Sequence, residues 1–244
     1  MYREIPPLGH LAPFIECLWI SQPDVQIPDA GEIRVVPDGC IDLIFDMTPN
    51  MENAFWVGTM TTSLCLNSTV PRSLLGIRFH PGGARQLIPC PAAELVNQRV
   101  PIRDLTPDLA TILESLLVRS DPVKTIYKWL ESQVVPSTKS SLVSEIHSRI
   151  TCSKTISTLA DEIGYSRQYL NRIMKDTVGV DLKRFSRIVR MRKLILYLTD
   201  SRIPVNWSEC AVSFGFYDQS HLINEFNDLV GVNPGQFLQT LKSI

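Results

Sequence analysis

Nine lysine and arginine side chains lie between positions 167 and 193 of the chain, together with only two acidic ones, Asp176 and Asp181. A solvated helix face usually mixes both signs. A phosphate-binding surface needs a basic stripe, because every neutralised phosphate releases counterions. The segment therefore predicts binding to a nucleic-acid backbone. The nine cations are Arg167, Arg172, Lys175, Lys183, Arg184, Arg187, Arg190, Arg192 and Lys193.

The basic segment overlaps a motif that the chain contains twice. The first copy reads LADEIGYSRQYLNRIMKDTVGVDLKRF, and the second reads CAVSFGFYDQSHLINEFNDLVGVNPGQF. Two anchor positions are 51 residues apart in the two copies and four are 52 apart, so the second copy has one more residue at its turn. Six shared anchors indicate an internal repeat. They are Ala160, Gly164, Leu170, Met174, Gly179 and Phe185, which recur as Ala211, Gly215, Leu222, Phe226, Gly231 and Phe237.

Each copy has the pattern of two short helices joined by a tight turn. In the first copy, Gly164 stands where the chain must take a left-handed conformation, which glycine adopts at little cost. Ser166 is then the predicted N-cap of the next helix, and Gly215 and Asp218 take the same places in the second copy. Such a turn presents the second helix of the pair to the major groove of DNA. A helical pair that merely packs has the same pattern, and the charge of the segment is what favours DNA binding.

The block from about Lys139 to Leu241 resembles the twin helix-turn-helix DNA-binding domain of the AraC/XylS transcription regulators. The resemblance implies seven helices, in which two three-helix lobes are joined by a long helix from about Leu182 to Thr199. At 1.5 Å per residue this helix spans about 27 Å, which is of the order needed to set two recognition helices one DNA turn apart. The matching residues are Ala160, GYS at 164–166, Leu170, Arg172, Gly179, Phe185, Arg190 and Met191, and in the second part Ala211, GF at 215–216, DQSH at 218–221, Phe226, Gly231, Pro234 and Phe237.

The same resemblance implies which side chains contact DNA. Arg172 suits a bidentate contact to guanine, and Gln168 or Asn171 suits one to adenine. The second lobe departs from the family pattern, since Asn224 stands where an arginine is common and only two basic residues follow position 201. We therefore expect the first lobe to dominate affinity. The expected DNA-contacting residues are Arg167, Gln168, Asn171, Arg172, Lys175, Arg184, Arg190, Gln219, Ser220, His221 and Asn224.

Length and charge predict two domains, residues 1–136 and residues 137–244. The first carries ten basic and fifteen acidic side chains, a net charge of −5, and the second fourteen and ten, a net charge of +4. Opposite charges suggest that the halves attract each other without DNA and so hide part of the basic segment. No apolar run approaches the roughly 18 residues of a membrane span, and the N-terminus lacks a secretory signal pattern. We expect a cytoplasmic protein without membrane contact.

The cysteines and histidines show no spacing typical of a metal or disulfide site. None of the six cysteines forms a CxxC pair, and the four histidines are scattered. We expect reduced, packed thiols, no metal and no cofactor, with a redox or metal sensor as the alternative. These residues are Cys17, Cys40, Cys65, Cys90, Cys152 and Cys210, and His10, His80, His147 and His221.

The N-terminal half is predicted to be rich in strands. Residues 34–36 and 40–45 flank Pro37-Asp38-Gly39, a turn signal between apolar runs that predicts a hairpin. The predicted fold class is α+β, with a small β-barrel or sandwich and trailing helices before an all-α C-terminal domain. Other strands are predicted at 14–21, 54–59, 63–68 and 74–79, helices at 84–88, 92–96, 109–118 and 123–134, and a linker at 136–140.

Three N-terminal segments, PDGCIDLIF, GIRFHPGGA and PAAELVNQRVPIRDL, resemble the N-terminal domain of a subgroup of AraC-type regulators. This resemblance implies a cupin-like sensory domain over roughly residues 5–130, without naming its ligand. Core packing is the alternative for the aromatic candidates. Arg78 and His80 share one strand face, which is compatible with a polar interior and equally with solvent. The residues expected to line a ligand pocket are Trp19, Arg34, Trp56, Arg78 and His80.

These features predict a one-component transcription regulator that is not an enzyme. Its N-terminal domain is expected to bind a small-molecule effector or to form a homodimer. Its C-terminal domain is expected to bind double-stranded DNA and, if the protein is an activator, RNA polymerase. One open alternative is a DNA-targeted alkyl-transfer repair enzyme, for which Cys40 is the candidate nucleophile. The other is a DNA-binding protein that needs no ligand.

Overall fold

The structure is a computed structural model that describes residues 2–22, 33–47, 54–66, 72–111, 122–135, 137–150, 155–200 and 205–242. Within these residues, all strands lie in the N-terminal part and pair antiparallel, and helices predominate in the C-terminal part, which confirms the expected α+β class. The strands are β1 (Tyr2–Ile5), β2 (Ile15–Ser21), β3 (Ile33–Val35), β4 (Ile41–Asp46), β5 (Phe55–Val57), β6 (Leu64–Leu66), β7 (Leu74–Phe79) and β8 (Arg99–Pro101).

Six of the strands form one antiparallel sheet in the order β1-β2-β7-β4-β5-β8. In its centre, Leu18, Ile77 and Leu43 lie side by side in register and are fully buried. Arg78 and Asp42, one position along β7 and β4, pair with each other on the opposite face, because successive side chains of a strand alternate. The sheet therefore has an apolar face and a face with charged residues at its centre.

The apolar face packs against short helices that follow the sheet. These are α1 (Ile102–Leu105) and α2 (Pro122–Gln133), and residues 107–111 are also helical. Ile126 of α2 and Trp56 of β5 are fully buried in the same apolar cluster, so this side of the sheet is filled with side chains. The helices predicted at 84–88 and 92–96 are 3₁₀ turns, Gly83–Gln86 and Ala92–Leu95. Most of the helix predicted at 109–118 lies outside the described residues.

The predicted hairpin between residues 34–36 and 40–45 is wrong. β3 pairs with β6 in a separate two-stranded sheet, whereas β4 pairs with β5 and β7. The turn itself forms: Gly39 has a φ of 82°, and Asp38 Oδ1 accepts a hydrogen bond of 2.9 Å from the Cys40 amide. The turn passes the chain from one sheet to the other. A local turn signal determines where the chain bends, but the pairing partner of each strand depends on distant residues.

The described residues from position 137 onward form seven helices, the number that the resemblance implies. The predicted linker at 136–140 is shorter than expected, because Ser137 and Ser140 form a capping box that starts the first of these helices at Thr138. None of the described helices is both long and apolar enough to cross a bilayer. The seven are α3 (Thr138–Arg149), α4 (Ile156–Ile163), α5 (Arg167–Thr177), α6 (Leu182–Asp200), α7 (Trp207–Ser213), α8 (Gln219–Val230) and α9 (Pro234–Lys242).

The repeat anchors form the centres of two separate apolar clusters. Leu170 and Phe185 are fully buried in the first lobe, and Leu222 and Phe226 are fully buried in the second. The long helix α6 supplies buried residues to both clusters, and its 19 residues span about 28 Å. It thus joins two lobes of the same design, as the repeat predicts.

Gly164 ends α4 in the left-handed region, at φ 81° and ψ 22°, and Ser166 caps α5 by accepting a hydrogen bond from the Tyr169 amide. Among the described residues, none apart from the chain neighbours of Gly164 would lie within 4 Å of a Cβ atom placed on it. The only cost of a side chain here is therefore the strain of the backbone.

We expect Gly164→Val to lower the free energy of unfolding by about 1–2 kcal/mol, because a β-branched residue resists this conformation. Gly164→Asn is the matched control and should lose less, since asparagine tolerates the left-handed region. Thermal unfolding of the full chain measures both. Equal melting temperatures for wild type and Gly164→Val would contradict the assigned conformation.

Candidate nucleic-acid interface

The exposed face of α5 carries most of the polar residues expected in the first lobe. Leu170, Ile173 and Met174 bury the opposite face. The Arg172 guanidinium lies 5.2 Å from the centroid of the Tyr169 ring, which stacks on Tyr165. The guanidinium therefore lies over the Tyr169 ring. The exposed predicted residues are Arg167, Gln168, Arg172 and Lys175.

Two other residues predicted to contact DNA are engaged within the protein. The Asn171 side chain accepts a hydrogen bond of 3.0 Å from the Leu182 amide and so ties α5 to the start of α6. The Arg184 guanidinium lies 3.4 Å from the carbonyl oxygen of Thr61 in the N-terminal part. Both side chains are half-buried. Their contacts connect residues far apart in sequence, which a local pattern does not indicate.

Arg190, a further predicted contact, belongs to an ion-pair network between α6 and α8. Its guanidinium binds the Glu225 carboxylate at 2.8 Å and the Gly215 carbonyl oxygen at 3.0 Å. Arg187 binds the same carboxylate at 3.1 Å and Asp228 at 2.7 Å. The two acids therefore neutralise cations of the linking helix.

The second lobe presents a smaller polar face. Gln219, Ser220 and Asn224 are exposed on α8. His221 is half-buried: its Nδ1 accepts a hydrogen bond of 3.0 Å from the Tyr217 amide, and its Nε2 lies 3.2 Å from Glu225. Tyr217 itself is 91% exposed in the turn before α8. Sequence reasoning missed this residue, although an exposed aromatic ring beside a recognition helix is a candidate DNA contact.

The basic segment is partly neutralised within the protein. The Arg192 guanidinium pairs with Glu16 of β2, and Lys193 donates a hydrogen bond of 2.7 Å to the Ile150 carbonyl oxygen. Among the described residues, two of the nine cations, Arg184 and Arg192, contact the N-terminal part. The N-terminal part therefore hides only a small share of the basic segment. The cations that remain exposed are Arg167, Arg172, Lys175, Lys183 and Lys193.

The five residues predicted to line a ligand pocket fall in different places. Trp19 and Arg78 lie together on the charged face of the sheet, where Asp42 accepts a hydrogen bond of 3.0 Å from the Trp19 indole and lies 3.5 Å from Arg78. His80 lies 4.0 Å from Glu16. Burial raises the pKa of Asp42 to about 7, although the charge of Arg78 acts to lower it. On this face, the Trp19, Arg78 and Asp42 side chains are therefore partners of one another.

Trp56 and Arg34 lie elsewhere. Trp56 is fully buried on the apolar face and donates a hydrogen bond of 3.0 Å to the Thr106 hydroxyl. Arg34 donates one of 3.0 Å to the Val230 carbonyl oxygen in the second lobe. A groove of about 430 Å³ adjoins α1 and α2, and none of the five predicted residues lines it. Its walls include Leu87, Ile88, Leu105, Thr106, Leu109 and Trp129.

Cys40 has the surroundings of a packed thiol. It is 3% exposed, its Sγ donates a hydrogen bond of 3.3 Å to Glu16, and burial raises its pKa well above the ordinary value. A nucleophilic cysteine requires the opposite shift, because the thiolate is the reactive form. Cys152 lies outside the described residues. Within those residues, no three histidine, cysteine or acidic side chains converge as a metal site would require.

Comparison with known proteins matches each part of the chain separately. Residues 3–101 match a domain of unknown function (DUF6597), and residues 159–240 match a helix-turn-helix domain. The Msm operon regulatory protein of Streptococcus mutans is 24% identical over 98 residues, which are 40% of this chain and 34% of that protein. The chain thus spans about a third of this curated relative's length.

Solved structures resemble the chain as well. The C-terminal domain of AraT, a response regulator from Geobacillus stearothermophilus, is 25% identical, covers 43% of this chain and 88% of its own, and has a TM-score of 0.38. ToxT from Vibrio cholerae is 14% identical, covers 86% and 89%, and has a TM-score of 0.45.

Proposed function

We infer, from the match of residues 159–240 to a helix-turn-helix domain and from the resemblance of the C-terminal part to AraC/XylS regulators, that this chain is a DNA-binding transcription regulator. The observation that carries the inference is that both recognition helices, α5 and α8, are packed through their repeat anchors and leave polar residues exposed. We propose Arg167, Gln168 and Arg172 as the main contacts of the first helix, because they are exposed and their side chains suit guanine and adenine edges.

The second helix is proposed to contribute Gln219, Ser220 and Asn224, which are exposed and uncharged. The exposed cations lie in the first lobe and on the linking helix α6. The first lobe is therefore expected to supply most of the phosphate attraction.

The N-terminal domain is proposed to carry the regulatory input, through a small-molecule effector or a homodimer interface, and RNA polymerase is a further partner if the protein is an activator. Packing of this domain against both lobes supports that role. The boundaries of residues 1–136 and 137–244 belong to the same proposal. The alternative of an alkyl-transfer enzyme gains no support from Cys40, whose thiol is buried and protonated.

A test of phosphate binding uses Lys175, which is exposed on α5. Lys175→Gln should reduce the slope of log affinity against log salt by about one, because one fewer phosphate is neutralised. The measurement is a titration of a random-sequence duplex at several salt concentrations. Lys128→Gln, which removes an exposed cation from α2 in the N-terminal part, is the matched control and should leave the slope unchanged. Identical slopes for the wild type and Lys175→Gln would rule out this contact.

A further inference from the structure

The segment between β5 and β6, residues 58–63, contacts the C-terminal end of both recognition helices. The Thr59 hydroxyl donates a hydrogen bond of 2.5 Å to the Val178 carbonyl oxygen, directly after α5. The Ser63 hydroxyl donates one of 2.6 Å to the Val230 carbonyl oxygen, at the last residue of α8. The Ser63 amide also donates to the Leu229 carbonyl oxygen, at 2.8 Å. Each contact satisfies a carbonyl that a helix end leaves without an intrahelical partner.

The two contacts are equivalent in the repeat. Val178 and Val230 are 52 positions apart, the same offset as the later anchors. The glycines that follow them have φ values of 99° and 77° and allow the close approach. A Cβ on Gly179 would lie 2.8 Å from the Ala92 carbonyl oxygen, and one on Gly231 would lie 3.0 Å from the Ser63 hydroxyl. One short segment thus binds the same point on each copy.

The segment is itself held rigidly in the N-terminal part. Asn97 forms hydrogen bonds with two residues of this segment. Its side-chain oxygen accepts one of 2.8 Å from the Thr61 backbone amide, and its own backbone amide donates one of 3.1 Å to the Thr59 carbonyl oxygen. The Gly58 amide donates to the Gln98 carbonyl oxygen at 3.0 Å. Arg34 of β3 reinforces the contact to Val230. The segment can therefore transmit the position of the N-terminal sheet to both helices.

Residues 58–63 contact the C-terminal ends of α5 and α8, whereas residues proposed to read DNA bases begin at the N-terminal ends of these helices. Gln168 and Ser220 lie in the first turn of their helices and stay exposed, whereas the contacts are at the last residue or just beyond. Over the 11 residues of α5 this separates the two functions by about 16 Å. DNA and the N-terminal segment can thus bind the helices at the same time.

We propose that residues 58–63, the clamp segment, fix the distance and orientation between the two recognition helices through Thr59 and Ser63. This inference rests on the proposed DNA-binding function. The clamp segment couples the N-terminal domain to DNA reading, because a shift of the segment displaces both helices together. Thr59 and Ser63 are positioning residues, since they act through the helices and not on DNA.

The first test needs no DNA. Nitroxide labels are placed at positions 168 and 220 of the full chain through an introduced non-natural amino acid, and pulsed electron paramagnetic resonance measures the distance between them. The wild-type background should give one narrow distance distribution. The double variant Thr59→Val, Ser63→Ala should broaden or shift it, whereas Thr62→Val, which changes an exposed residue of the same segment, should not. Unchanged distributions in the double variant would overturn the proposal.

The second test uses DNA selected from a random library by the wild-type chain, with the two halves of the site moved apart by two base pairs. The wild type should lose at least tenfold in affinity, and the double variant should lose less than threefold, because its lobes are no longer held at one spacing. The single variant Thr59→Ser keeps the hydroxyl and should discriminate between the two spacings as the wild type does. A variant that melts lower yet keeps tenfold discrimination would show that the contacts only stabilise the fold and would refute the clamp.

The two tests separate the two hypotheses. Absence of sequence-specific binding by the wild type would refute the proposed function, while the distance measurement still decides on the clamp segment. Specific binding together with unchanged distances would refute the clamp segment alone. If the double variant does not fold, the single variant Ser63→Ala replaces it in both measurements, with the same outcomes.

Discussion

Replacement of Glu225 by alanine should lower the free energy of unfolding by about 3–5 kcal/mol, the usual cost of removing one partner of a buried ion pair. The Glu225 side chain is 11% exposed and that of Arg190 is 18% exposed, so the guanidinium left behind has little access to water. Arg187 loses a second contact to the same carboxylate. Chemical denaturation of the full chain measures the loss.

Asp228→Asn is the matched control for this change. Its side chain is 53% exposed and binds Arg187 alone in the network, at 2.7 Å. An exposed pair of this kind contributes about 0–1 kcal/mol. Similar losses for Glu225→Ala and Asp228→Asn would mean that the buried carboxylate of Glu225 does not hold α8 against α6.

The same carboxylate gives the stability a defined dependence on pH. Burial acts to raise the pKa of Glu225. The hydrogen bond and charge of Arg190 and the charge of Arg187 act in the opposite direction and outweigh burial, so the pKa lies below its ordinary value. A depressed folded-state pKa stabilises the protein above the unfolded pKa, about 4.3, and this stabilisation is lost as the pH falls through the folded-state pKa. The stability of Glu225→Gln should therefore fall less steeply than that of the wild type in this acid range.

In DNA binding, the largest single effect is expected from Arg172→Ala. Arg172 is exposed on α5, its guanidinium lies over the Tyr169 ring, and two terminal nitrogens suit a bidentate contact to guanine. Loss of a bidentate base contact costs about 1–3 kcal/mol, or roughly 5- to 150-fold in affinity for the selected site. Asn224→Ala in the second lobe should lose less.

A lysine at position 172 separates base reading from charge. Arg172→Lys keeps the positive charge but cannot form the planar two-donor contact. It should lose discrimination between guanine and other bases while keeping the salt dependence of the wild type. Titrations at one salt concentration compare the variants, and equal losses from Arg172→Ala and Asn224→Ala would disprove the unequal roles of the two lobes.

The C-terminal fold was predictable because its determinants are local. Gly164, Ser166 and the apolar spacing of each copy act within one or two helical turns, and the structure places them as expected. The hairpin prediction was wrong because strand pairing is decided by distant partners: Arg34 of β3 pairs with Cys65 of β6, far along the chain. The turn signal at Asp38 correctly predicted the bend in the chain, but not the pairing of the strands on either side of it.

The roles of individual polar residues were harder to predict for the same reason. Arg190 and Asn171 have the types and helical positions of DNA contacts, yet their partners are Glu225 and the Leu182 amide, in other helices. Thr59 gave no signal, since a threonine hydroxyl in a loop has no periodic pattern. Residues whose function depends on another element can be assigned only when the packing of the elements is known.

The most direct test of DNA reading by two lobes is selection by the full chain of duplexes from a random-sequence library, followed by sequencing of the bound fraction. Two short blocks of enriched bases should emerge, about one helical turn or 10 base pairs apart. The block read by α5 should be the stronger, and it should lose its guanine preference when the selection is repeated with Arg172→Ala. Bound duplexes with no enriched sequence, or a single block that is unchanged by Arg172→Ala, would contradict sequence-specific reading by both recognition helices.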